Sequence, residues 1–66
     1  MYAIRFVKFG DRSETVFLDE PVIPDERELW VAVVAGRAML GRDAPEADGF
    51  QVFLRETGER VHDEWI

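Results

Sequence analysis

Sixty-six residues, 47% of them hydrophobic and 33% charged, suit one small globular domain over residues 1–66 rather than a disordered chain. Fourteen acidic residues against eight scattered basic ones leave a net charge of −6, which disfavours direct nucleic-acid binding and adhesion to anionic membranes. The absence of cysteine excludes a disulfide framework and a thiolate zinc site, and a single His leaves little for any other zinc site.

Residues 2–9 read as a strand, with Tyr2, Ile4 and Phe6 alternating against Ala3, Arg5 and Val7. Gly10-Asp-Arg-Ser13 is a turn signal. Residues 14–19, with Thr-Val-Phe-Leu at their centre, form the second strand of a hairpin. Both faces of that hairpin carry apolar residues, so its register stays open. Pro21 and Pro24 end the strand. Asp25 then reads as a helix N-cap, with Glu28 completing a capping box and a helix expected over residues 26–40. Gly41 is its C-terminal stop. Residues 41–49 read as a loop, 50–55 as a third strand and 60–66 as a fourth. The turn at Glu56-Thr-Gly-Glu59 sets Leu54 opposite Val61, Val52 opposite Asp63 and Phe50 opposite Trp65. The expected fold is α+β, a β-hairpin–helix–β-hairpin (ββαββ) with one helix packed on one face of an antiparallel sheet.

The helix is the informative element. At about 100° per residue, Leu29, Val33, Gly36 and Leu40 form a stripe that can pack on the sheet, flanked by Trp30, Ala32 and Met39. The opposite side should be polar, yet it carries Val31, Val34, Ala35 and Ala38. Arg37 is the only charge between Leu29 and Leu40. A helix apolar all round is normally buried all round, and one four-stranded sheet covers one side. A second copy of the chain is therefore expected on Val31, Val34, Ala35 and Ala38. The plainer reading is that alanines tolerate solvent and that two exposed valines are ordinary.

Few residues suggest chemistry. His62-Asp63-Glu64 is the one cluster to weigh as a metal or acid–base site. Strand geometry puts His62 and Glu64 on one face and Asp63 on the other, so the expectation is the polar outer face of an edge strand. The five glycines fit no phosphate-loop or dinucleotide pattern. Ser13, the only serine, sits in a turn. No catalytic residue, metal ligand or cofactor site is assigned. If Phe6 and Phe50 face the helix, Phe9 and Phe53 face away, and Phe53 becomes the second candidate contact.

No known family is recognised in these residues. The longest apolar stretch, 29–36, is too short to span a bilayer, and the N-terminal residues lack the pattern of a signal peptide. A cytoplasmic protein is expected, and seven arginines among the eight basic residues suggest a bacterial or phage source. The leading functional reading is a homodimeric, non-catalytic interaction or regulatory module. The second is an acidic phage-type inhibitor that mimics nucleic acid. The third is a small enzyme with a site at a dimer interface.

Overall fold

A computed structural model describes all 66 residues. The elements run β1 (Tyr2–Phe9), β2 (Thr15–Phe17), α1 (Leu29–Met39), β3 (Gly49–Leu54) and β4 (Glu59–Trp65). They form one antiparallel sheet of order β2-β1-β3-β4, with α1 packed across one face. This is the expected ββαββ arrangement.

Alternation along β1 sends Tyr2, Ile4 and Phe6 toward the helix, where they meet Val33, Phe50 and Val52 in the core. Ala44 and Ala47, in the loop before β3, complete that core at 2% and 5% exposure. Small side chains let this loop fold inward. Asp48 anchors its end: its N–H donates to the Val7 carbonyl, its Oδ2 accepts from the Phe9 N–H, and its carbonyl accepts from Ile66.

The second strand is shorter than the sequence suggests. After Phe17 only the Leu18 N–H still bonds β1, at the Phe6 carbonyl. The chain then arches away through Pro21 and Pro24 and returns at Glu26, which exchanges both backbone bonds with Tyr2. That return also explains the helix start. Glu26 is held extended by β1, so α1 cannot begin at residue 26 and begins at Leu29. Glu28 is the N-cap position and makes no side-chain cap bond, while the Asp25 carboxylate binds Arg55 instead. The expected capping box is therefore absent. At the other end Gly41 takes φ +84° directly after the helix, the left-handed conformation expected of a stop.

The β3–β4 register also differs from expectation. Gly58, at φ +76°, closes a four-residue turn in which the Gly58 N–H reaches the Leu54 carbonyl. Leu54 consequently pairs with Glu59, not with Val61. A β-bulge between Val52 and Phe53 then inserts Val61 as an extra residue on β4. Val52 pairs with His62 and Phe50 with Glu64, one residue from the expected Asp63 and Trp65. A one-residue slip exchanges the faces of every side chain beyond it. His62 and Glu64 thus face the helix, whereas Asp63 and Trp65 face away.

The helix lies very close to the sheet at Gly36. A Cβ built there would sit 2.5–2.9 Å from three atoms of the Phe50 ring. In an open helix, Gly→Ala gains about 1 kcal/mol from helix propensity. Here the added methyl collides with a ring that is 0% exposed, and overpacking of this kind costs about 1–3 kcal/mol. Gly36→Ala is expected to lower the thermal midpoint despite the better propensity. Combining it with Phe50→Leu should recover part of the loss, as read from melts of the two variants and their double mutant.

Candidate interaction surfaces

The sheet and helix leave two apolar surfaces, on opposite sides of the molecule. The first is the outer side of α1. Trp30 is 63% exposed, Val31 45% and Val34 48%, with Ala38 exposed beside them. Three of the four helical residues expected there lie on this surface. Ala35 does not: it is half-buried and packs against the core. Ala32 takes the opposite course and is fully buried, so the inward stripe is Ala32, Val33 and Gly36, with Leu29, Met39 and Leu40 at its margins.

A polar chain borders this helix face. Arg37 reaches across to β4 and donates two hydrogen bonds to Glu64, Nε to Oε2 and Nη2 to Oε1, both 2.8 Å. Its guanidinium also lies 5.3 Å from the Trp30 ring centroid, within cation–π range. Glu64 Oε1 is in turn 3.0 Å from His62 Nε2, and the His62 ring lies 5.9 Å from that of Phe50. Both side chains are about a quarter exposed. The pair therefore belongs to the helix–sheet junction and not to a polar outer face, which corrects the sequence expectation. Its chemistry is limited by its partners. Both Glu64 oxygens are occupied by Arg37, and the Arg37 bonds hold the Glu64 carboxyl below the usual carboxylate range, with His62 adding to the effect. A carboxylate so neutralised is a weak base and a weak metal ligand.

The second surface is the outer sheet face. The bulge turns Trp65 to this side, and Gly49 lets it lie across β3: a Cβ on Gly49 would be 3.0 Å from two atoms of the indole. The indole stacks on Phe9, with centroids 4.5 Å apart and planes at 13°. Its Nε1 donates to Asp63 Oδ2 at 3.2 Å. Pairing with Val7 sets Phe17 on the same face, where it packs beside Phe53 at 6.1 Å and beneath the Arg5 guanidinium at 5.2 Å. Phe9 and Phe17 remain 55% and 45% exposed. Phe53 faces away from the helix as expected, so it cannot share one contact surface with Val31 and Val34.

Helical periodicity carried the first surface. The second depends on Trp65, which the expected pairing with Phe50 sets on the helix side, because nothing in residues 59–66 marks a bulge. Comparison with protein-family models, with curated proteins and with solved structures finds no match to this chain. No helix is long and apolar enough to cross a membrane.

Three ion pairs tie distant segments together, and all three depress carboxyl groups. Hydrogen bonds from Arg37 lower Glu64, those from Arg55 lower Asp25, and those from the N-terminal ammonium lower Glu56. A carboxyl group with a lowered folded pKa stabilises the fold fully above its ordinary value, 3.8 for Asp and 4.5 for Glu. That contribution disappears as pH falls through the lower, folded value. Stability should therefore decline on acidification from about pH 5. Glu64→Gln should be less stable than the parent at neutral pH, with the difference shrinking in acid. Thermal melts of both proteins across this range check the sign, and a gap independent of pH would show that the Arg37–Glu64 pair contributes nothing by charge.

Proposed function

We propose that this protein is a non-catalytic interaction module that works as a homodimer, with the outer side of α1 at its two-fold interface. The exposure of Trp30, Val31 and Val34 on a single helix face carries this reading. Large apolar side chains grouped in one exposed patch mark contact surfaces, whereas isolated ones do not. Charge favours a second copy as the occupant. Each chain carries −6, so copies repel over most of their surface. The helix face is uncharged apart from Arg37, whose guanidinium is already engaged by Glu64. A two-fold axis crossing the helix sets the two helices antiparallel. Glu26 and Glu28 ahead of one helix would then lie toward Arg37 and Arg42 at the end of the other, each of which already pairs within its own chain, with Glu64 and Asp43. Ala38 would permit close approach of the backbones.

Light scattering is expected to give twice the chain mass of 7.6 kDa at micromolar concentration. Val34→Glu places a charge opposite its own copy and should yield a folded monomer, since Val34 is half-exposed within the subunit. Circular dichroism confirms the folding. A parent protein that is monomeric by scattering refutes the proposal, and a dimer that survives Val34→Glu removes α1 as its interface.

A further inference from the structure

The arch between β2 and α1 opens a gap in the edge of β1. Between the Phe6–Leu18 and Tyr2–Glu26 backbone bonds, β1 has three residues and the arch has seven, residues 19–25. Alternation along an antiparallel strand fixes where the intervening backbone groups point. The N–H and C=O of Tyr2 face this edge, so those of Ala3 and Arg5 face β3 and those of Ile4 face the gap. No bond from the arch or from any side chain reaches the Ile4 backbone, which lines the groove. A groove of about 340 Å³ opens there, with Leu18 and Ile23 toward the helix side and Phe17 and Phe53 toward the outer face. That volume lies within the range of small-molecule sites.

We propose that this groove binds the α-carboxylate of an N-acylated amino acid, through a one-residue bridge to Ile4. An unpaired strand edge is a template for an added residue, and here one donor and one acceptor point the same way. A single extended residue supplies the complement. Its N–H donates to the Ile4 carbonyl, and its carboxylate accepts from the Ile4 N–H. A residue opposite Ile4 carries its side chain on the Ile4 face, against Leu18 and Ile23, so an aliphatic side chain fits. The chain's own backbone closes the gap at both ends, about four strand residues or ~13 Å apart, which excludes a long added strand. A ligand that ends at the bridging residue meets this limit.

One guanidinium beside the groove is free to meet the carboxylate. Two arginines and two aspartates line the groove, and Arg55 with Asp25 form a bidentate pair. Arg5 is the remaining guanidinium; it lies over Phe17 and makes no ion pair. Asp19 opposes it from the arch. Arg5 thus attracts the carboxylate, and Asp19 weakens that attraction.

Titration of the ¹⁵N-labelled protein with N-acetyl-leucine tests the site. The Ile4 amide resonance should move downfield and saturate, with Kd of about 1 mM or tighter. Arg5→Gln and replacement of the probe by N-acetyl-leucinamide should each weaken binding about tenfold. Asp19→Asn should tighten it. Both residues are exposed, so the variants keep the fold, which their spectra verify. No saturable shift at Ile4, equal binding of the amide, or weaker binding by Asp19→Asn would overturn the proposal. Alanyl-alanyl-leucine separates two sources of the same chemistry. Binding at least as tight as N-acetyl-leucine identifies a peptide C-terminus as ligand, and weaker binding a free N-acyl amino acid; both outcomes support the site.

Discussion

The contact between Gly36 and Phe50 sets the distance between helix and sheet, and most of the remaining structure follows from that distance. With no side chain at residue 36, α1 rests on the Phe50 ring itself. Phe50 is fully buried, and its ring meets Phe6 edge-on at 6.4 Å. Burying a Phe side chain is worth about 1.5–3 kcal/mol, and glycine within a helix costs about 0.5–1 kcal/mol relative to alanine. The packing term is therefore the larger. Close approach also brings Arg37, the next residue, within reach of Glu64 on the edge strand. The ion pair is a consequence of the packing, and it ties the helix to β4.

The bulge in β4 is the second determinant. Without Val61 as an extra residue, the pairing at Leu54–Glu59 would continue unshifted and set Asp63 opposite Phe50. His62 and Glu64 would then lie on the outer face, and Arg37 would have no carboxylate partner. Trp65 would turn toward the helix and leave Phe9 alone. One inserted residue therefore assembles the polar border of the helix face and the aromatic stack on the other side of the sheet. Gly49 assists the second, since a Cβ there would clash with the Glu64 carbonyl oxygen and crowd the indole at 3.0 Å.

These two features separate what was legible in the sequence from what was not. Local signals held where no distant segment competed with them. Gly41 and Gly58 occupy the left-handed conformations their turns require, and the inward stripe of α1 follows the helical period through Val33 and Gly36. Local signals failed where a long-range partner took the same group. Asp25 has the right chemistry for an N-cap, but the Arg55 guanidinium takes both of its oxygens. Glu26 could begin a helix, yet Tyr2 binds its backbone in extended form. The face of His62 was not legible because a bulge leaves no mark in side-chain type. Ala35 points inward through a modest rotation of the helix, which no count of apolar positions fixes to better than one residue.

The charge distribution bears on what kind of partner the molecule can meet. A nucleic-acid mimic needs carboxylates arrayed over one face. Here Asp25, Asp43, Glu56 and Glu64 are paired with cations of the same chain. The turns holding Asp11 with Glu14 and Glu56 with Glu59 lie at opposite ends of the sheet, because β1 and β3 run antiparallel. These two turns therefore put acidic residues at both ends of the sheet. The outer side of α1 presents Trp30, Val31 and Val34 with the paired Arg37 guanidinium over Trp30, and the aromatic sheet face keeps Arg5 above Phe17 and Asp63 beside Trp65. Desolvating these charges would oppose association at either face, and less at the helix, where Arg37 is already bonded to Glu64, than at the sheet, where Arg5 has no ion pair. On charge alone, the helix face is the less costly of the two to cover.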